Sequence, residues 1–107
     1  METIIIQIYS TGIGKQPFNE WLYSLDKTTR FIVSARIVRI RAENFGDCKR
    51  IVGSSIWELR IACGPGYRIY FGRSGSKVVV LLVGGDKGSQ LRDIAKAKKY
   101  WLYWLGK

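Results

Sequence analysis

Apolar side chains alternate with polar ones along much of the second half of the chain. The segments IWELRIA, GYRIYF and KVVVLLVG, within residues 56–84, are rich in β-branched and aromatic residues, and the connectors CGP and RSGS are typical of tight turns. These segments predict three antiparallel strands in a meander. The preceding segment DCKRIVG, residues 47–53, is predicted to add a short strand.

The first half of the chain predicts a strand followed by two helices. TIIIQIY, residues 3–9, predicts the strand, and Pro17 suits the first turn of a short helix in PFNEWLYSL, residues 17–25. Asp26 is a suitable N-cap for a second helix that Gly46 ends, so we expect the two helices to form an antiparallel hairpin. The positions of the second helix expected to face the core are Phe31, Ala35, Val38, Ala42 and Phe45.

A last helix is predicted over residues 89–105, with Ser89 as its cap. Its expected inward positions are Leu91, Ile94, Ala95, Trp101 and Leu105. The final turns, YWLYWL, are apolar on nearly every side, and a domain of this size cannot bury all four of their aromatic rings. We therefore expect a partner to cover part of this helix. The whole pattern predicts one α+β domain over residues 1–107.

Composition narrows the classes of protein to which the chain can belong. No apolar run approaches the length of about 20 residues that crosses a bilayer, and METIIIQIYS lacks the features of a signal peptide, so we expect a cytoplasmic protein. Cys48 and Cys63 stand in no metal-binding or disulfide pattern. The chain has no histidine, which argues against Ser-His-Asp chemistry and most metal sites, and we expect no metal or cofactor.

The net charge is the strongest compositional signal. Eighteen lysines and arginines stand against eight acidic residues, which gives a formal charge of +10. Such a charge on a small domain attracts polyanions and implies nucleic acid, an acidic protein or an anionic membrane as a partner. The basic residues recur in three separate segments, which argues against a protein that is basic for solubility alone.

Strand period sorts the side chains of the meander onto two faces. One face is expected to form the core beneath the helices: Trp57, Leu59, Ile61, Tyr67, Ile69 and Phe71. The other is expected to be open and polar, with Lys87 after the next strand: Glu58, Arg60, Arg68 and Tyr70. Arginine and lysine bind phosphate and tyrosine can stack on a base, so this face predicts a site for single-stranded nucleic acid. An antiparallel sheet can also expose a polar face to water without any such function.

Four segments, PFNEWL, NFGDCKRIVG, ELRIACGPGYRIYF and LLVGGDKGSQLRDIAKAKKYW, closely resemble the phage-derived, HigB-like branch of the RelE/ParE toxin superfamily over about residues 16–101. The resemblance implies a RelE-like α+β fold, in which an N-terminal strand and a helical hairpin pack on a mostly antiparallel sheet, with a C-terminal helix. It also implies a type II toxin that cuts mRNA on the ribosome, without metal, by directing the ribose 2′-OH against the adjacent phosphate. The implied partners are mRNA, the ribosome and a helix-turn-helix antitoxin, and not a membrane.

The resemblance further implies roles for individual residues. Arg68 falls on the family's contact to the scissile phosphate, Arg60 on a strand position often held by lysine, and Lys87 on a basic position after the last strand. The predicted catalytic residues are Arg60, Arg68, Lys87, Glu58 and Tyr70. The predicted RNA-binding residues are Arg60, Arg68, Tyr70, Arg73 and Lys87. Guanidinium stays protonated, so Lys87, Glu58 and Tyr70 stay open as candidates for the general base.

The partners and the alternatives to RNA cleavage stay open at the level of the sequence. An acidic antitoxin segment is expected on four residues: Arg36, Arg39, Trp101 and Trp104. One alternative is a ParE-like toxin that binds DNA gyrase without cutting RNA. The other is an inactive relative that only binds nucleic acid.

Overall fold

The computed structural model describes residues 3–106, which form an α+β fold on one five-stranded sheet. The strands are β1 (Ile5–Ile8), β2 (Cys48–Arg50), β3 (Ile56–Ile61), β4 (Tyr67–Ser74) and β5 (Val78–Asp86). The helices are α1 (Pro17–Ser24), α2 (Lys27–Arg41) and α3 (Gln90–Gly106), and a 3₁₀ turn, Lys87–Ser89, precedes α3. The predicted order of strands and helices, including the short strand before the meander, is confirmed.

The sheet is mixed, with the strand order β1-β5-β4-β3-β2. β1 runs parallel to β5, and every other neighbouring pair in this order is antiparallel. β3, β4 and β5 thus form the predicted meander. The N-terminal strand returns to pair with the far side of β5, which places β5 in the interior of the sheet.

Helices cover both faces of the sheet. α1 and α2 pack on the face that presents Leu59 and Phe71. α3 packs on the opposite face, where its Ala97 and Trp101 share a core with Tyr70. The prediction that this second face is open is therefore wrong. β5 is apolar at almost every position, so both of its faces must be shielded from water, and α3 provides the cover on the second face.

α2 buries a different stripe from the predicted one. Asp26 is its N-cap, as predicted, because the Asp26 carboxylate accepts the N–H of Thr29 at 3.1 Å. Val33 and Ile40 are fully buried in the core. The helix carries apolar residues on two stripes, and contact with the sheet selects the stripe of these two residues. The following residues were predicted to face the core but are exposed: Phe31, Val38 and Ala42.

α3 also begins and packs differently from the prediction. Asp86, and not Ser89, is the N-cap of the turn that leads into α3, since the Asp86 carboxylate accepts the N–H groups of Gly88 and Ser89 at 2.8 and 3.2 Å. The buried residues of α3 are Asp93, Ala97 and Trp101. Three residues predicted to face inward are exposed instead: Leu91, Ala95 and Leu105. Neither α3 nor another helix within residues 3–106 is long and apolar enough to span a membrane.

A β-bulge interrupts the regular alternation of β5. Tyr70 of β4 pairs with Val83, whereas the next residue, Phe71, pairs with Leu81. Leu82 is therefore an extra residue on β5. From Val83 onward, each side chain of β5 therefore points to the face opposite to the one that it would have in a strand without the bulge.

The bulge decides which helix each glycine of the GGDK segment meets. A Cβ atom on Gly84 would lie 2.1 Å from the Trp21 ring of α1. A Cβ atom on Gly85 would lie 1.8 Å from Asp93 Oδ2 of α3. Both glycines are needed for packing inside the protein, because a side chain at either position would overlap a neighbouring helix.

Replacing Gly72 with alanine is expected to destabilise the protein by about 1–3 kcal/mol. The new Cβ atom would lie 2.3 Å from the ring of Trp101, an α3 residue that is buried against the sheet. Gly12→Ala is the matched control, since no described atom lies within 4 Å of its Cβ position. Urea unfolding of both variants measures the two effects. Equal unfolding midpoints for Gly72→Ala and the wild type would contradict this packing of Trp101 on β4.

Candidate functional site

Three of the predicted cations meet where the strands of the meander begin or end: Arg60, Arg68 and Lys87. We call this end of β3, β4 and β5 the basic edge. Arg60, near the end of β3, is directly opposite Arg68, near the start of β4. Arg68 also pairs with Gly85 of β5, and Lys87 follows β5 directly. Strand register thus brings these three residues to the same part of the fold.

The loop before β4 holds Arg68 beside Lys87. Gly66 has a φ of +83°, which glycine adopts without strain, and its carbonyl accepts a 2.9 Å hydrogen bond from Arg68 Nη1. A Cβ atom on Gly66 would lie 3.4 Å from Arg68 Nη1 and 3.9 Å from Lys87 Cβ. These are ordinary contact distances, so it is the positive φ, and not a lack of space, that disfavours a residue larger than glycine here.

Glu58 and Tyr70 are fully buried beneath α3, so the prediction that they lie on an open face is wrong. Together with Gln90 of α3 they form what we call the buried carboxylate cluster. Tyr70 Oη donates a hydrogen bond to Glu58 Oε2 at 2.9 Å, and Gln90 Nε2 donates to the same oxygen at 2.8 Å. Neither Glu58 nor Tyr70 can touch a nucleic acid unless α3 moves.

The buried carboxylate cluster lies next to the Arg68 side chain. Arg68 Nε lies 3.6 Å from Glu58 Oε2, and the Arg68 side chain is 12% exposed. Within residues 3–106, Arg68 Nε and Glu58 Oε1 have no hydrogen-bond partner. Attraction between the two opposite charges, together with the Gly66 carbonyl, restricts the orientation of the guanidinium group.

Tyr70 is a hydrogen-bond donor in this cluster and not a base. Burial, followed by the hydrogen bond to Glu58, raises the pKa of Tyr70. A tyrosine with a raised pKa keeps its proton at neutral pH. Tyr70 therefore fixes the Glu58 carboxylate in place.

Arg60 is the more exposed arginine of the basic edge. Its Nη2 and Nε lie 2.9 and 3.3 Å from Asp47 Oδ1, and both side chains are about half exposed. An exposed ion pair is screened by water and contributes little to stability, so a phosphate group can replace Asp47 at little cost. Asp47 precedes β2 and was not singled out from the sequence.

Arg73 lies away from the basic edge. Its guanidinium group stacks over the Phe45 ring at 4.7 Å and lies 6.0 Å from the centre of the Trp57 ring. Trp57 and Phe45 border the core beneath α1 and α2, on the face opposite Glu58. The structure thus separates Arg73 from the other predicted RNA-binding residues.

The predicted antitoxin residues do not form one surface. Arg36 and Arg39 belong to α2, whereas Trp101 and Trp104 belong to α3, on the other face of the sheet. Trp101 is buried, and its ring stacks on that of Trp104 at 5.1 Å. Among the four, Arg39 is well exposed, and Trp101 cannot contact a partner in this conformation.

Sequence reasoning missed Gln90 and Asp93, which are polar residues on the inner face of α3. Gln90 holds Glu58, and Asp93 accepts a hydrogen bond from Ser89 Oγ. The signal that could have found them is helical spacing, because residues 90, 93, 97 and 101 share one stripe. The stripe was passed over because its first two members are polar.

Cys48 is expected to react slowly with alkylating reagents. Burial raises the pKa of the Cys48 thiol from 9.0 to about 11, so the folded protein holds about a hundredfold less thiolate at pH 8 than the unfolded chain. Iodoacetamide labelling at pH 8, followed by mass spectrometry of the Cys48 peptide with and without denaturant, measures this difference. Labelling of the folded protein at the denatured rate would contradict the buried position of the thiol.

The described residues contain no group of three or more cysteine, aspartate or glutamate side chains placed to hold a metal ion. Cys48 and Cys63 are not joined in a disulfide. The basic edge presents two arginine side chains, one lysine side chain and the backbone of Gly66.

Comparison with known proteins relates this chain to a bacterial protein. No protein-family model matches the sequence. A protein of Haemophilus influenzae, described only as uncharacterized, is 44% identical over 82 residues, which cover 76% of this chain and 82% of that protein. This degree of identity over most of both chains shows that the chain belongs to the same family as the Haemophilus influenzae protein.

Proposed function

We propose that this protein is the toxin of a type II toxin–antitoxin module, a HigB-like member of the RelE/ParE superfamily with a RelE-like fold, and that it cleaves mRNA on the ribosome. The observation that carries the proposal is the basic edge, where Arg68 and Lys87 flank Gly66 and Arg60 lies opposite Arg68. The sequence resemblance names the same three residues. The net charge of +10 supports a polyanionic substrate.

The reaction needs charge neutralisation at phosphorus and two proton transfers. The ribose 2′-oxygen attacks the adjacent phosphorus and loses its proton, the bond from phosphorus to the 5′-oxygen breaks, and that oxygen gains a proton. The products are a 2′,3′-cyclic phosphate and a 5′-hydroxyl. Arg68 and Arg60 provide the positive charge that stabilises the pentacoordinate phosphorane. No water or external reagent is consumed in this step.

The burial of Glu58 and Tyr70 narrows the roles of the candidate residues. Arginine cannot lose its proton, and the two buried groups lie beneath α3. Of the five residues proposed as catalytic, Lys87 is therefore the exposed group that can exchange a proton. We assign Lys87 to proton transfer, Arg60 and Arg68 to the phosphate, and Glu58 and Tyr70 to the positioning of Arg68.

A helix-turn-helix antitoxin is the proposed protein partner, and the cytoplasm, where ribosomes translate mRNA, is the proposed site of action. The exposed arginines of α2 suit an acidic antitoxin segment. Because Trp101 is buried, any contact of the antitoxin with α3 must use more exposed residues, such as Leu102 or Tyr103.

Induced expression in a bacterial host tests the proposal. Primer extension on a reporter mRNA is expected to show new 5′ ends inside the translated region, and a mutated start codon that prevents translation of the reporter is expected to remove them. Growth arrest without new ends would instead favour a gyrase-binding toxin. Unchanged growth with salt-sensitive RNA binding would favour an inactive relative.

A further inference from the structure

A cleft opens beside β5 where β1 leaves the sheet. β1 follows β5 only as far as the pairing of Ile8 with Leu81, and the chain then turns away through residues 11–15. Beyond Leu81, no strand of the described chain pairs with this side of β5. The space left between α1 and α3 is a cleft of about 440 Å³, which we call the β5-edge cleft.

The walls of the β5-edge cleft combine two aromatic rings with charged groups. Its lining residues include Lys15, Trp21, Gly84, Asp93, Lys96 and Tyr100. Trp21 lies against the backbone of Gly84, and Tyr100 stacks on Tyr9 at 5.1 Å, so both rings are held in place. Both rings keep part of their surface exposed.

The charges of the cleft are arranged by depth. Lys15, Lys96 and Glu20 are exposed at its rim, whereas Asp93 is buried, with one carboxylate oxygen bound by Ser89 Oγ. Lysines at a rim bind phosphate as point charges. A carboxylate on an inner wall accepts hydrogen bonds from the exocyclic amine of a base and repels a base carbonyl.

We infer that the β5-edge cleft binds one nucleotide, with its base beside Trp21 and Tyr100 and its phosphate on Lys15 and Lys96. The volume is in the range of small-ligand sites, and base stacking on aromatic rings is a general mode of single-strand binding. Asp93 favours cytosine, which has an exocyclic amine, over uracil, which has a carbonyl in the same place.

The position of the cleft makes it a subsite for RNA bound at the basic edge. Gly84 lines the cleft, and the next residue, Gly85, pairs with Arg68. The β5-edge cleft and the basic edge thus lie on the two sides of β5, one strand apart. The claim that the nucleotide belongs to RNA rests on the proposed function. The claim that the cleft binds a nucleotide rests on its lining residues alone.

Nuclear magnetic resonance titration of the ¹⁵N-labelled protein tests the inference. The probes are cytidine 5′-monophosphate and the trinucleotides of 2′-O-methylcytidine and 2′-O-methyluridine, which cannot be cleaved. We expect saturable shifts of the Trp21 indole and Gly84 amide signals, with about tenfold weaker binding of the uridine trinucleotide. The cytidine trinucleotide is also expected to shift the Gly66 and Arg68 signals at the basic edge.

A pair of double variants with the same loss of charge separates the cleft from general electrostatics. The double variant Lys15→Ala with Lys96→Ala is expected to weaken binding of the cytidine trinucleotide at the cleft about tenfold. Lys27→Ala with Lys77→Ala, at two exposed positions outside the cleft lining, is expected to change it less than twofold. Equal weakening by the two double variants would overturn the inference.

The remaining outcomes distinguish the inference from the proposed function. Shifts at Gly66 and Arg68 without shifts at Trp21 and Gly84 would overturn the cleft and leave RNA cleavage standing. Binding in the cleft without new 5′ ends in cells would support the cleft and contradict cleavage. If the monophosphate binds as tightly as the trinucleotide, the cleft still binds a nucleotide, but the ligand is a free nucleotide and not RNA. Shifts at neither site would count against both proposals.

Discussion

Replacing Arg68 with alanine is expected to lower mRNA cleavage by about 10²–10³-fold, because one preorganised charge at the phosphorane is lost. Primer extension, quantified at equal toxin levels, measures the loss as the yield of new 5′ ends. Toxicity in induced cells should fall with it. The effect is large because Arg68 is held by the Gly66 carbonyl and faces the Glu58 carboxylate, so it needs little reorganisation when the phosphate arrives.

The alanine variant alone does not separate catalysis from stability. Arg68 is 12% exposed and lies 3.6 Å from the buried Glu58, so its removal also leaves that carboxylate without its nearest cation. Arg68→Lys keeps the positive charge and removes the guanidinium fork. We expect this variant to fold with nearly the wild-type unfolding midpoint and to lose most of the cleavage.

Arg73→Ala is the matched control for Arg68. It removes the same charge from the same strand, but Arg73 stacks over Phe45 on the opposite face of the sheet. Cleavage by Arg73→Ala is expected to stay within a few-fold of the wild type. Equal losses for Arg68→Ala and Arg73→Ala, which remove the same charge, would show that total charge, and not the basic edge, carries the activity.

Replacing Glu58 with alanine is expected to lower the free energy of unfolding by about 3–5 kcal/mol, the range for breaking a buried ion pair from one side. The change leaves two groups under α3, the Tyr70 hydroxyl and the Gln90 amide, without their acceptor, and it removes the carboxylate that faces the Arg68 guanidinium. Tyr70→Phe removes one hydrogen bond to Glu58 and is expected to cost about 1–3 kcal/mol. Urea unfolding measures both values.

Glu20→Ala is the control for this second prediction, since Glu20 is exposed in the first turn of α1 and its loss should cost about 1 kcal/mol or less. An unfolding midpoint for Glu58→Ala close to that of Glu20→Ala would contradict the buried carboxylate cluster. Such a result would return Glu58 to the surface, where it was first predicted, and would reopen its role as a base.

The sequence by itself determined the order of the elements, the N-cap at Asp26 and the three cations of the basic edge. These features depend on local physics. Strand period, turn residues and capping hydrogen bonds act between residues that are close in the chain, so their signals can be found in the sequence. Arg60 and Arg68 were correctly predicted to share one face of adjacent strands, because strand period and the short connection between β3 and β4 are local features.

Only the tertiary structure decided which faces are buried. α2 and α3 each offer more than one stripe to the core, and the choice depends on surfaces that lie far away in the chain. The bulge at Leu82 likewise turns Gly84 toward Trp21 and Gly85 toward Asp93. Glu58 and Tyr70 are buried because both faces of β5 must be shielded from water and α3 covers the second face. This requirement involves segments that are far apart in the chain, so no local sequence pattern shows it.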